Sequence, residues 1–254
     1  MNAWLRCYRP LPMAGWRLVA FPHAGGAASF FRPWAGELPA SVELLAVQYP
    51  GRADRLSEAV IDRMDRMADL VAEALLGLLD RPLLLFGHSL GAAVAFEVAL
   101  RLRSRAAPAG LAVSGQRGPS VMEPGDRHLW PDELLWDDVR KLNGTAASVL
   151  DHPELTRMVL PYLRSDHRLL ETYRPRPASS LDCPITALVG DRDPELTVDH
   201  ARRWAEVTRG AFDLRVFPGG DHFYLVGRRS EVVDHVLGFL GVPPARRASW
   251  PSTP

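Results

Sequence analysis

The sequence predicts an α/β fold: a mostly parallel central sheet flanked by helices, with a helical insertion late in the chain. Three observations carry this. Short apolar runs alternate with segments of helical periodicity. One apolar run, Pro82 to Phe86, leads straight into a serine with glycines two places either side, and then into a helix-forming stretch. The alternation lapses between 118 and 177 and then resumes. At 254 residues the chain is long enough to form one such domain around a substantial core.

The elements follow in order. Trp16-Arg17-Leu18-Val19-Ala20-Phe21 reads as a strand closed by Pro22 and the Gly25-Gly26 turn, and 29–38 as a first helix. Residues 42–47 form the next strand, ended by Tyr49-Pro50-Gly51. Met64, Met67, Ala68, Val71, Leu75 and Leu78 recur at helical spacing, which predicts a helix over 64–79. The strand 83–86, the helix 92–102 and the buried strand 110–115 come next. Runs this apolar are expected when a parallel sheet is covered on both faces.

Between 118 and 177, Pro119, Pro124, Pro131, Pro175 and Pro177 edge a polar, helix-prone block carrying Trp130, Trp136, Leu150, Met158, Leu160 and Tyr162. Helices inserted between two strands of an open sheet most easily cap the strand ends, where ligands bind. The alternative is a helical subdomain packed elsewhere. Strands at 185–189 and 212–217 and helices at 198–207 and 230–240 complete the pattern. The predicted organisation is a core of 1–117 and 178–242, a lid insertion at 118–177, and a proline-rich tail, 243–254, expected to be disordered.

Composition narrows the function classes. Thirty basic and thirty acidic residues cancel, so no global field favours nucleic acid or a membrane surface. Cys7 and Cys183 are too few for a disulfide framework, and no C-x-x-C or His-rich spacing suggests a metal. The first dozen residues lack the apolar run of a signal peptide, and no stretch reaches membrane-spanning length. A cytoplasmic monomer is expected.

Gly87-His88-Ser89-Leu90-Gly91, between a strand and a helix, has the form of the nucleophile elbow of α/β-hydrolases. The chain reverses so sharply there that side chains at the flanking positions collide with their neighbours, which glycine avoids. Ser89 is left near a helix N-terminus, where amides favour developing negative charge. A serine hydroxyl needs a base held by a third group. In this architecture the acid and then the histidine follow on later strand ends. Gly190-Asp191-Arg192-Asp193-Pro194 and Pro218-Gly219-Gly220-Asp221-His222 supply both in that order.

His222 is the best base because it alone among the histidines follows a late strand through a glycine-rich turn. His88 should point away from the serine, and His128, His152, His167, His200 and His235 read as surface or packing residues. Asp193 is favoured as the acid, with Asp191 and Asp221 as turn-stabilising competitors. The amide of Leu90 and one from Pro22-His23-Ala24-Gly25-Gly26, preferably Ala24, would form an oxyanion hole; a mere tight turn is the competing reading.

From about residue 4 to 240 the chain resembles the free-standing type II thioesterases that accompany polyketide synthases and nonribosomal peptide synthetases. The resemblance rests on Phe21-Pro-His-Ala-Gly-Gly26, Val47-Gln-Tyr-Pro-Gly-Arg52 with Asp54-Arg55, and Gly87-His-Ser-Leu-Gly91. It extends through Arg164-Ser-Asp-His, Glu171-Thr-Tyr173, Gly190-Asp-Arg-Asp-Pro194 and Gly220-Asp-His-Phe-Tyr224. It implies hydrolysis of acyl thioesters from the phosphopantetheine arm of acyl or peptidyl carrier proteins, clearing aberrant or stalled groups from an assembly line for polyketide, peptide or antibiotic synthesis.

Ser89 is then the nucleophile, Asp193 the acid and His222 the base, with the amides of Ala24 and Leu90 as the oxyanion hole and 118–177 as the lid. No cofactor is implied, since phosphopantetheine arrives with the substrate. Gly219-Gly220-Asp221-His222 is a residue longer than the usual Gly-Gly-His or Gly-Asp-His, a turn that would shift the ring. Arg52 and Arg55, with Arg32 nearby in sequence, could supply a local basic rim for an acidic carrier and its phosphate-linked arm; for any one of them a solvated surface arginine is the competing reading. A carboxylesterase or lipase acting on free esters is the rival enzyme, and a non-catalytic acyl-carrier binder the rival without chemistry. The start at Met1, with hardly any leader, favours a stand-alone protein over an excised synthase domain.

Overall fold

The structure, a computed structural model, describes residues 2–141 and 153–242. Strands β1 (Leu5–Arg6), β2 (Trp16–Phe21), β3 (Val42–Val47), β4 (Leu83–His88), β5 (Gly110–Ser114), β6 (Ile185–Gly190) and β7 (Phe212–Phe217) form one sheet in the order β1-β3-β2-β4-β5-β6-β7. All neighbours run parallel except β1, which pairs antiparallel with β3 at the edge. That short edge strand has no counterpart in the sequence reading. It is too brief to show a period, and only its partner at Ala46 and Val47 makes it a strand.

The continuous apolar runs resolve into period two. Val19, Phe21, Leu85, Val113 and Val189 enter a core shared with helices α1 (Met64–Leu75) and α2 (Leu90–Leu102). Leu18, Ala20, Leu84, Phe86 and Ala112 enter a second core on the opposite face. There they meet Phe31 and Trp34 from a 3-10 segment, Ala28–Gly36, and Val232, Val233, Val236 and Leu237 from the last helix. Burial on both faces is the reason alternation is invisible in composition.

The helix predicted at 29–38 is this 3-10 segment. Pro33 lies inside it and has no N–H to give an α-helical ladder. Phe31 and Trp34, three apart, fall on one side of a three-residue turn and are both buried. The predicted 64–79 helix likewise ends as α-helix at Leu75 and tightens to 3-10 over Leu76–Leu78.

Between β5 and β6 lie helices α3 (Asp132–Lys141) and α4 (Pro153–Glu171), preceded by 3-10 turns at Pro119–Val121 and Arg127–Leu129. After β6 come α5 (Val198–Arg202) with a 3-10 extension Arg203–Val207, and after β7 come α6 (Tyr224–Gly227) and α7 (Arg229–Phe239). The tail expected to be disordered, 243–254, lies outside the described residues, as do His152 and Leu150.

In register, Phe21 pairs with Gly87, His88 with Ser114, and Gly190 with Phe217. The loops that follow β2, β4, β5, β6 and β7 therefore leave the sheet along one edge. The connection leaving β2 runs to one side, to β3, and the connection leaving β4 runs to the other, to β5, so Ser89 at the end of β4 stands at the topological switch point between β2 and β4, where open α/β sheets bind ligands.

Candidate active site

The elbow is enforced by backbone collisions. A Cβ on Gly91 would lie 2.1 Å from the carbonyl oxygen of Phe21, and one on Gly87 would lie 2.2 Å from that of Gly91. Ser89 itself sits at φ 53°, ψ −122°, a conformation that costs a non-glycine residue about 1–3 kcal/mol. Its amide donates to the carbonyl of Ser114 at 2.8 Å, tying the tip to β5. The strained turn lifts the hydroxyl out of the sheet, and Ser89 lines a cavity of about 360 Å³ together with Ala24, His222 and Phe223.

The acid and base loops converge on the same cavity. The Asp193 carboxylate bonds the Nδ1 side of His222 at 2.8 Å through Oδ2, and accepts the Glu195 amide at 2.8 Å through Oδ1. Both residues are buried. With Nδ1 engaged, Nε2 is the ring nitrogen left for the cavity. Asp191 instead accepts the Gly219 amide at 2.7 Å, and Asp221 accepts the Phe223 amide at 2.9 Å, so the two rival acids serve turns. Across this longer turn the His222 ring still meets Asp193. Gly219 takes φ 70° on the exposed outside of that turn, with open space where a Cβ would stand.

Two aromatic rings pack against His222, and a third lies behind them. The His88 ring lies 5.0 Å from it and Phe223 5.2 Å, centroid to centroid, with His23 4.8 Å from Phe223. Burial, then the proximity of His222 and Arg52, pushes His23 down to about 3. Burial also pushes His88 well below the ordinary histidine value, with His222 and His23 adding to the effect. Both are therefore held in the neutral form and place no positive charge beside the His222 ring. His88 turns away from the serine: its Nδ1 meets Ser114 Oγ at 3.0 Å, and that hydroxyl meets Tyr224 OH at 2.7 Å.

Helix α4 and the turns before α3 close the cavity from above. Met122, Trp130, Leu163 and Leu196 give it apolar walls, and Arg127 and Glu171 polar ones. Arg127 is bidentate to Glu195 at 2.9 Å, joining the cap to the residue whose amide holds Asp193. Glu171 accepts the amides of Arg127 and His128 at 3.1 and 3.0 Å and the His128 ring at 2.6 Å. Burial works against its ionised form, but His167, His128 and the His128 amide outweigh it and hold the carboxyl at about 2. His128 and His167, read from sequence as surface or packing residues, thus help order the cavity wall. The helix-period pattern gave no sign of this.

The predicted basic rim is absent where it was expected. Arg52 is 2% exposed and Arg55 6%, while Arg32 alone remains exposed. Arg52 grips Asp166 of α4 at 2.6 and 2.7 Å and donates to the Gly26 carbonyl at 3.1 Å. Arg55 donates to the Gln48 carbonyl and pairs with Glu58. A sequence cannot reveal that a helix more than a hundred residues later will cover an arginine and neutralise it.

A family model described as the thioesterase domain matches residues 16–240. Thioesterase PikA5 of Streptomyces venezuelae is 43% identical over 98% of this chain and 91% of its own length. A probable cadicidin biosynthesis thioesterase of Streptomyces griseus is 47% identical over 87% of this chain, which spans 62% of that relative's length. The solved type II thioesterase BorB from the borrelidin biosynthetic cluster superposes with a TM-score of 0.88 at 43% identity, covering 94% of this chain and 98% of that one. An elbow serine opening on a covered cavity at the switch point of a parallel sheet, together with these likenesses, leaves one conclusion: this chain belongs to the thioesterase family and has its α/β-hydrolase fold.

Proposed function

We propose that the protein hydrolyses acyl thioesters carried on the phosphopantetheine arm of acyl or peptidyl carrier proteins, releasing aberrant or stalled groups from a polyketide or nonribosomal peptide assembly line in the cytoplasm. The observation that carries the chemistry is Ser89, strained at φ 53°, sharing one cavity with a His222 whose ring is held by Asp193 at 2.8 Å. The likeness to PikA5 and BorB supports the substrate class. Phosphopantetheine belongs to the substrate, and the residues of this site act without a resident cofactor.

His222 takes the proton from Ser89 Oγ through Nε2 as Oγ attacks the thioester carbonyl. The oxyanion is received by the amides of Ala24, on the cavity wall, and Leu90, the first residue of α2. Asp193 keeps the tautomer and stabilises the imidazolium. The thiol leaves with the proton from His222, and the acyl group remains on Oγ. His222 then removes a proton from water, whose oxygen attacks the ester. The carboxylic acid departs as the proton returns to Oγ.

The test is mass spectrometry of carrier proteins loaded with different acyl groups, beside hydrolysis of matched oxygen esters. Release from the carrier at a kcat/KM above that of the oxygen ester is expected, and the reverse order favours a carboxylesterase. Ser89→Ala should lose at least about 10⁴ in kcat and Asp193→Asn about 10²–10⁴, with Asp191→Asn near wild type. Wild-type turnover in Ser89→Ala removes the proposed mechanism.

A further inference from the structure

We propose that Asp166, on the lid helix α4, is a positioning residue for the oxyanion loop and acts together with Arg52. The inference rests on Ala24 serving as an oxyanion donor. The loop 22–26 is not held by strand pairing. Its amide hydrogen bonds within the loop reduce to Gly26 onto the His23 carbonyl at 3.0 Å. What fixes it comes from outside.

Asp166 Oδ2 accepts the Gly25 amide at 2.8 Å, one residue beyond Ala24. The same oxygen and its partner Oδ1 take both terminal nitrogens of Arg52, and Arg52 Nη1 also donates to the Gly26 carbonyl at 3.1 Å. The carboxylate is fully buried and the guanidinium nearly so. Tyr162 of the same lid helix and Tyr49 lie against the guanidinium, 4.6 and 5.3 Å from their ring centroids. Gly25 takes φ 75°, and a Cβ there would stand 3.0 Å from Leu163 of α4, so the helix packs directly on the loop.

Three consequences follow from that geometry. A bidentate pair fixes direction as well as distance, so it sets the plane of the peptide between Ala24 and Gly25. That plane and its neighbour decide where the Ala24 N–H points. The hole is therefore assembled only while α4 is seated, and a lid helix that carries no reacting group contributes to the stability of the transition state.

The test compares wild type with Asp166→Asn and with the paired change Arg52→Met/Asp166→Leu in the full chain. Asp166→Asn preserves shape and an oxygen for the Gly25 amide. The paired change removes both buried charges together, which avoids stranding one of them. Turnover of an acyl-pantetheine thioester is read alongside the melting temperature. Affinity is read for an alkyl boronic acid, which becomes tetrahedral on serine, and for a thioether analogue that has no carbonyl.

The expected result is a kcat lower by about 10-fold in Asp166→Asn and about 10²-fold in the paired variant. KM and thioether affinity should stay within about three-fold of wild type while boronic acid affinity falls with kcat, whatever the melting temperature does. A change confined to melting temperature or to KM, with kcat and boronic acid affinity near wild type, overturns the proposal. If Ser89→Ala keeps its activity, the reading of the whole site fails. If Ser89→Ala is dead and Asp166→Asn is unimpaired, only this inference fails.

Discussion

His23 and His88 are buried beside His222, and the burial that keeps them neutral has a thermodynamic signature. In the unfolded chain each takes a proton near pH 6.5, while in the fold His23 does so only at about 3 and His88 well below its ordinary value. The unfolded state therefore binds more protons below pH 6.5, and stability falls as pH falls through that window. The loss amounts to about 1.4 kcal/mol per pH unit for each histidine. Glu171, lowered from 4.5 to about 2, adds a loss of the same sign at lower pH. Urea unfolding of His23→Gln between pH 6 and 4 should show a slope reduced by about one proton relative to wild type. An unchanged slope would mean that His23 is protonated in the folded protein. At the elbow, Gly91→Ala sets a methyl carbon against the Phe21 carbonyl and should cost about 3 kcal/mol or more in the same measurement.

Helix α4 shows what one element contributes beyond its own hydrogen bonds. At its start the sequence is polar, and Met158 is 47% exposed, yet from Leu160 onward it turns inward through Leu163, Asp166 and Leu169. Just past its end, Tyr173 OH donates to Glu97 Oε1 of α2 at 2.7 Å inside the core. Removing that hydroxyl leaves a buried carboxylate oxygen without its donor, although Arg101 still pairs with Oε2. Tyr173→Phe should therefore destabilise the protein by about 1–2 kcal/mol in denaturant melts, with kcat close to wild type, because nothing in this contact reaches the cavity.

Across the whole molecule, the cap is fastened unevenly. The C-terminal half of α4 is tied through Arg52 to the segment that follows β3 and to the loop 22–26, and its exit is tied to α2 through Tyr173. Helix α3 buries only Leu135 and Trp136, against a small satellite cluster with Leu160 and Leu163. Amide hydrogen exchange should accordingly find residues 163–171 protected nearly as well as α2, and residues 132–141 exchanging faster by about 10²-fold or more. Equal protection of the two helices would show that the cap opens as one body.

Much of this was legible before any coordinates. Alternating apolar runs and helical periods announced a covered parallel sheet, and a strand–glycine–serine–glycine–helix succession announced the elbow. These signals are local: each depends on residues within a few positions, and the sterics of a tight turn do not wait for the rest of the chain. The order of Asp193 and His222 after two successive strands was equally readable, because a parallel sheet delivers successive loops to one edge.

The 3-10 character of 28–36, the edge strand at Leu5, and the contacts of Ser114, Glu171 and Asp166 come from the tertiary structure alone. Arg52 is the clearest case. Its charge suggested a solvated rim for an acidic partner, and only the arrival of α4 converts it into a buried strut. Desolvation and pairing depend on which distant surface comes to lie on top of a group. That is a property of the packed molecule, whereas a turn, a strand or an elbow is already specified by its own few residues.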